Sequence, residues 1–349
     1  MNRTAFAFAS PLIALLLLAS HASAGSFSFS TGSPDGLMAT ATRPGPGPGS
    51  GADQETESGD DFILATPTVI NSATFIGLLP TGLSSSDTVQ VRIEIYRVFP
   101  NDSDAGRTPN VPTRANSPSD VEFADRDSAS GNLTVDDVTV LNSSFTAANS
   151  VDTGIHPFPN QTTLGDGPVT AQEIEIGVTF TTPFTLPADH YFFVPQVLLS
   201  NASAHFLWLS APKPTSPPFT GDLQEWIRNA DLDPDWLRVA MDIVGAPPAF
   251  NASFSLAGDA DEDADGVPDS LDECPGTAEG AVVDANGCSI AQLAPCGGPA
   301  SGGTWKNHGA YVSAVAHAAE AFLEQGLISE DEKNVIVSAA ARSTCGRKE

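Results

Sequence analysis

The chain has 349 residues, 43 of them acidic and 15 basic, for a formal charge of −28. So negative a surface repels nucleic acid and anionic membranes and draws in cations, which sets aside the first two as partners. With 41% apolar and 17% charged residues, the chain still has enough core-forming side chains to fold rather than remain an acidic tail.

Residues 1–24 read as an export signal: Asn2-Arg3 give a short positive start, Pro11 to Ser20 hold a Leu-rich run, and Ala22-Ser23-Ala24 form a small-residue cleavage site. The apolar run is too short to span a bilayer, so the expected location is extracellular, periplasmic or cell-surface, with no membrane span. Residues 25–59 are rich in Ser, Gly, Pro and Thr and are expected to be a flexible tether, with Phe27-Ser-Phe29 adding an edge strand.

From residue 60 to 257 the pattern is that of strands punctuated by Pro and Gly turns. Val89-Gln-Val91-Arg-Ile93-Glu-Ile95-Tyr-Arg97 alternates, placing Val and Ile on a core face and Gln, Arg and Glu outward. Ile174 to Phe180 repeats that pattern. Further strands are expected over 61–64, 72–78, 133–141, 191–199, 205–210, 237–243 and 249–256. Short helical turns are expected over 221–229 and 233–237. Many short strands without a long helix predict an antiparallel β-sandwich. Asp60-Asp61-Phe62, Tyr191-Phe192-Phe193 and Trp208-Leu209-Ser210 give this body a loose resemblance to exported bacterial sandwich domains, which implies a fold but no activity.

The sandwich shows no metalloprotease, nucleophile-elbow or phosphate-loop motif, so a non-enzymatic protein is expected. Of His156, His190, His205, His308 and His317, only His308 and His317, with Glu320, were near enough in sequence to weigh as metal ligands. Asp120, Glu122, Asp125 and Asp127 form an acidic segment that could hold a cation, and together with Asp136 and Asp137 they are the carboxylates a secreted hydrolase would draw on. Trp208, Trp226 and Trp236 could serve either as packing or as platforms for an extracellular glycan.

The stretch Asp259-Ala-Asp261-Glu-Asp263-Ala-Asp265-Gly266-Val-Pro-Asp269-Ser-Leu-Asp272-Glu-Cys274-Pro275 is the most specific in the chain. With Asp261 as position 1, carboxylates stand at 1, 3, 5, 9 and 12, Gly266 at 6 and the Val267 carbonyl at 7, the ligand order of a calcium loop. Alternate side chains of a tight loop point inward, and the glycine permits the sharp turn. Asp272 in place of Glu, with Pro275 behind Cys274, argues against the exiting helix of an EF-hand.

Residues 261–288, with DxDxDGxxDxxDxCPxT followed by VDxxGC, resemble a thrombospondin type 3 repeat, particularly the short bacterial form. The resemblance implies a helix-free repeat wrapped on Ca2+, with Asp261, Asp263, Asp265, Asp269 and Asp272 as ligands. It also implies a Cys274–Cys288 disulfide and a closing turn at Asp284-Ala-Asn286-Gly287.

Two amphipathic segments follow. Val312, Val315, Ala319, Phe322 and Leu323 recur at helical spacing up to Gly326. Ser329 and Glu332 make a capping box before a stripe of Val335, Ile336 and Ala339. Cys296 and Cys345 flank this hairpin and would staple it; a tetrathiolate zinc site would need close CxxC pairs, which are absent. The expected organisation is therefore a signal (1–24), a tether (25–59), a sandwich (60–257), a calcium repeat (258–290) and a disulfide-stapled helical hairpin (291–349). The expected function is secreted calcium-binding structure or adhesion to a surface protein, with a carbohydrate-binding sandwich and a secreted hydrolase as alternatives.

Overall fold

The computed structural model describes residues 26–45, 55–106, 113–152, 162–201, 203–213, 224–229, 236–245 and 247–347. The expected signal segment lies outside them. The fold is mainly β, a two-sheet sandwich followed by an acidic loop and a small helical unit.

A nine-stranded sheet contains β1 (Ser26–Ser30), β2 (Met38–Ala41), β4 (Thr68–Leu79), β7 (Thr134–Ala147), β8 (Asn149–Val151), β9 (Val169–Leu186), β11 (Leu207–Ala211), β14 (Asn251–Ala252) and β15 (Phe254–Ala260). The facing six-stranded sheet is ordered β13 (Leu237–Arg238), β12 (Trp226–Asn229), β3 (Thr56–Ile63), β10 (His190–Leu199), β5 (Thr88–Arg97), β6 (Ala124–Asp127). Strand β4 is central to the larger sheet: β9 pairs along one edge, and β15 and then β11 share the other. All of these pairings are antiparallel. The short β2–β8 contact is parallel.

The main core lies between the sheets. Phe62, Ile93, Ile95 and Phe193 on one side meet Phe29, Phe75, Ile174, Ile176, Trp208 and Phe254 on the other. The Phe193 ring stacks on Phe254 with centroids 5.0 Å apart, and Trp208 meets both rings edge-on. Its indole N–H donates to the Ser253 carbonyl, so no polar atom of the ring is stranded in the core.

Four expectations need correction. Phe27–Phe29 add an edge strand as expected, β1 pairing with β15 through five residues, but the described remainder of the 25–59 segment also holds β2 against β11 and the start of β3, with Met38, Ala39 and Ala41 buried; residues 46–54 lie outside the described set. Small Ala, Ser and Thr residues resemble a linker in composition, yet they are what a strand needs where two neighbours crowd it. The helical turn expected over 221–229 is strand over Trp226–Asn229, paired with Thr56–Gly59; residues 221–223 lie outside the described set. Of the turn expected over 233–237, residues 233–235 lie outside that set, and Leu237 begins a strand. The strand expected over 237–243 stops at Arg238 and continues as a π-helical turn, Val239–Val244, closed by Gly245 in the left-handed region.

The alternation in β5 holds on its inner face, where Val91, Ile93 and Ile95 are buried, but Val89 is exposed. The outer face is not open to solvent as expected: Glu94 and Tyr96 are both buried. A second apolar cluster of Tyr96, Phe192, Val194, Trp226 and Trp236 covers that side.

Downstream, α1 (Ile290–Leu293) leads to α2 (His308–Glu324) and α3 (Glu330–Arg342). Val315, Ala319 and Phe322 of α2 are buried as the spacing predicts. On α3 the buried stripe runs through Ile336 and Ala340; Val335 is exposed. The Ser329–Glu332 capping box forms, and Gly326 (φ +74°) turns the chain between the helices. No helix among the described residues is long and apolar enough to cross a membrane.

Replacing Phe193 by Ala removes the ring that both Phe254 and Trp208 pack on. It should cost about 3–5 kcal/mol, read as a lowered denaturation midpoint of the sandwich by tryptophan fluorescence.

Candidate metal centre

Strand β15 runs directly into the acidic loop. The Asp261 N–H donates to the Pro67 carbonyl at 3.1 Å, and Asn71 Nδ2 donates to Asp259 at 2.9 Å, so the loop starts from a fixed point on the sheet. Asp261 is fully buried, and Asp261, Asp263 and Asp265 bring carboxylate oxygens within 4.8 Å of one another. Among the described residues this is the one group of three or more carboxylates, imidazoles or thiolates close enough to share an ion. Ligands about 2.3–2.6 Å from a central calcium lie at most about 5 Å apart, so the spread fits one hard cation.

The loop builds this cluster through its own backbone. Asp261 accepts from the N–H of Gly266 at 3.0 Å and of Asp265 at 3.2 Å; Asp265 Oδ1 accepts from Val267 at 2.9 Å. The turn passes through Ala264 (φ +59°) and Gly266 (φ +94°), which explains the glycine at that position. Asp263 Oδ2 reaches forward to the N–H groups of Gly276 and Thr277, both at 2.7 Å, and so also holds the turn after Pro275.

One atom is left over: Asp265 Oδ2 is buried with no hydrogen-bond partner. Gly287 faces the same place. A Cβ there would lie 2.1 Å from Asp272 Oδ1 and 3.3 Å from Asp265 Oδ2, so only glycine lets those oxygens approach the closing turn. Asp272 thus reaches the cluster. Asp269 accepts the Glu262 N–H at 2.7 Å through Oδ1, and Val267 donates its N–H to Asp265.

The electrostatics are those of an uncompensated acidic site. Burial pushes the Asp261 carboxyl up, and Asp265 and Asp263 add to this against the opposing Gly266 N–H. Asp272 is likewise raised by burial, with Asp265, Asp263 and Asp269 adding repulsion. A buried orphaned oxygen, a glycine cradle and an all-oxygen donor set together fit a hard divalent ion.

Both disulfides pair as expected, Cys274 with Cys288 and Cys296 with Cys345. Asp284 accepts from the N–H groups of Asn286 and Cys288, forming the expected turn. Gln292 of α1 donates to the Cys274 carbonyl at 2.6 Å, tying the loop to the helical unit.

The alternative sites do not assemble. His308 sets its two ring nitrogens against the carbonyls of Cys345 and Ala341, His317 turns to the Ser313 carbonyl, and Glu320 binds Lys333. His190 meets Asp61, His205 meets Asp152, and His156 lies outside the described residues. Asp120 pairs with Arg114, Asp125 lies 3.6 Å from Arg92, and Asp127 binds Gln90, so that segment is spent on local contacts. Asp136 and Asp137 of β7 accept from Thr179 and Thr139. Trp208, Trp226 and Trp236 are all buried, and none presents a face to a sugar.

One charged constellation lies outside every site expected above. Glu57, Glu94, Tyr96 and Arg228 meet, buried, on the outer face of the smaller sheet, beside a cleft of about 480 Å³ that Arg92 and Glu122 also line. Arg228 pairs with Glu57, Arg92 lies 2.8 Å from Glu94, and the Tyr96 hydroxyl sits 2.6 Å from Glu57 and 3.1 Å from Glu94. Burial would raise Glu57, but Arg228 overrides it and holds that carboxyl low, whereas burial and the Glu57 charge push Glu94 well up. The available signal was a charge inside an apolar strand, Trp226-Ile227-Arg228.

Arg228→Met should cost about 3–5 kcal/mol, because it leaves Glu57 buried without its cation; urea denaturation measures this. A raised folded pKa contributes stability below the unfolded Asp range near about 4 and loses it as pH climbs through the folded value. Chelator-treated protein should therefore lose its acidic loop to proteolysis more readily at about pH 7 than at about pH 4.5, and a bound metal should reverse that order because it needs the carboxylates ionised.

Comparison of the chain with models of known protein families, with curated protein sequences and with solved structures returned no match.

Proposed function

We propose that this is an exported, calcium-binding structural or adhesion-type protein in which the ion stiffens the joint between the sandwich and the disulfide-stapled helical unit. The observation that carries the reading is the buried, unpartnered Asp265 Oδ2 set among Asp261, Asp263 and Asp272 under the Gly287 cradle. The resemblance of residues 261–288 to a thrombospondin type 3 repeat points to the same ion. Calcium suits the donors: oxygen only, mostly carboxylate, on a loop able to supply more than four ligands. Two disulfides within the last quarter of the chain favour an oxidising compartment and so support export.

In this role the metal removes the mutual repulsion of the loop carboxylates. Without it they would drive the loop open and loosen the link between β15 and α1. Metal binding and ordering of the joint are then one event.

Calorimetric titration of the whole chain should give saturable calcium binding with Kd on the order of 10⁻⁴ to 10⁻³ M, the range of extracellular modules. Asp263→Ala with Asp265→Ala should abolish binding at the loop together with calcium-dependent protection of residues 258–290 from proteolysis. Loop protection that is the same in chelator and in millimolar calcium would make the segment a plain acidic linker and remove this reading.

A further inference from the structure

A second group of buried oxygens lies inside the sandwich. Asp60 of β3 is wholly buried and points between the sheets, while its neighbour Asp61 turns the other way to His190. Asp60 Oδ2 accepts the Ala252 N–H at 2.7 Å, and the Asn251 amide nitrogen of β14 lies 3.2 and 3.4 Å from its two oxygens. Glu225, just before β12, is drawn beside Asn251 by the bond from its own N–H to the Phe250 carbonyl at 2.7 Å. Its Oε1 accepts from the Thr40 hydroxyl of β2. Four separate strand regions thus deliver a hydroxyl, an amide and two carboxyls to one place.

Two of these acceptors have nothing to accept. Glu225 Oε2 and Asn251 Oδ1 are buried without a partner, on residues only 2% and 1% exposed. Among the described residues no base is set against Glu225: the groups that act on it are the Thr40 hydroxyl and the negative Asp35. Burial raises its carboxyl to about 8, and burial with the charges of Asp61 and Glu225 raises Asp60. Buried polar atoms are almost always satisfied, so Glu225 Oε2, orphaned beside a second buried carboxylate, leaves a positive partner to be supplied.

We propose that Asp60, Glu225 and Asn251 bind a second hard divalent cation of the calcium class between the two sheets. The Asn251 carboxamide turns by half a rotation to present Oδ1 where Nδ2 now stands, an exchange of near-isosteric groups. Its oxygen is then 3.2–3.4 Å from both oxygens of Asp60, a spacing suited to neighbouring ligands on one ion. Thr40 Oγ1 stands ready as a neutral oxygen at the Glu225 side. The ion would pin β2, β3, β14 and the start of β12 together at the polar end of the sandwich. This inference does not depend on the acidic loop binding calcium.

The test uses the full chain carrying Asp263→Ala and Asp265→Ala, which removes the loop site. After chelation, calcium should still bind at one ion per chain and raise the melting temperature of the sandwich. Adding Glu225→Gln, which keeps shape and removes charge, should weaken that uptake at least ten-fold and cancel the melting shift; Asp60→Asn should do the same. Terbium, excited through Trp226 next to Glu225, gives a readout on the chain without sandwich substitutions, and calcium should displace it. Absence of both uptake and melting shift up to about 10 mM calcium, well above extracellular affinities, would mean that the carboxyls hold protons, and the proposal would fall. Uptake that survives both Glu225→Gln and Asp60→Asn would place the ion elsewhere and overturn it equally.

Discussion

Carboxylates outnumber basic side chains 43 to 15 in this chain, and among the described residues several buried acids are met by backbone or hydroxyl groups instead of by a cation. Much of the structure follows from how each buried acid is satisfied. Glu57 takes Arg228 and lies against the Tyr96 hydroxyl. The loop aspartates take backbone N–H groups, which carry no charge but are numerous and well aimed. Among the described residues Asp265 Oδ2 and Glu225 Oε2 have no hydrogen-bond partner, and these are the places where an external positive partner would do most to relieve the imbalance.

The sandwich supplies the rigidity that makes such burial possible. Its aromatic core joins the sheets through Phe193, Phe254 and Trp208, and β15 carries that order, past one register shift at Ala257/Gly258, to Ala260, one residue before Asp261 of the loop. From there Asp263 holds the turn after Pro275, the Cys274–Cys288 bridge closes the loop, and Gln292 hands it on to α1. The helical unit has a small core of its own around Ala319, Phe322 and Ile328, so its Cys296–Cys345 bridge is a needed constraint on a short chain segment. The acidic loop thus connects the sandwich to the helical unit.

The parts of the site legible in sequence were those whose residues are neighbours in sequence. The loop ligands, their glycine and the closing turn fall within 27 residues, and the spacing of alternate side chains in a tight turn dictates which of them meet. Strands with one polar face were equally plain, as in Ile174, Ile176, Val178 and Phe180, all buried. Strands buried on both faces were not: Trp226 to Asn229 looked helical because no alternation survives when each side is covered. Beyond the edge strand β1, the segment holding β2 read as linker because its small side chains are those that fit between close strands.

The amino-acid sequence by itself determined a mainly β body, an acidic loop with metal-ligand spacing, a capped helical hairpin and the chemical character of a strongly anionic protein. These are set by local periodicity, turn chemistry and composition, which act over a few residues. Only the tertiary structure decided that Glu94 turns into a covered face, that Arg228 reaches Glu57 across 171 positions of chain, and that Asp60, Glu225 and Asn251 share one buried corner. Those contacts depend on strand order and register, and a sequence read one segment at a time has no means of stating which distant strands will become neighbours.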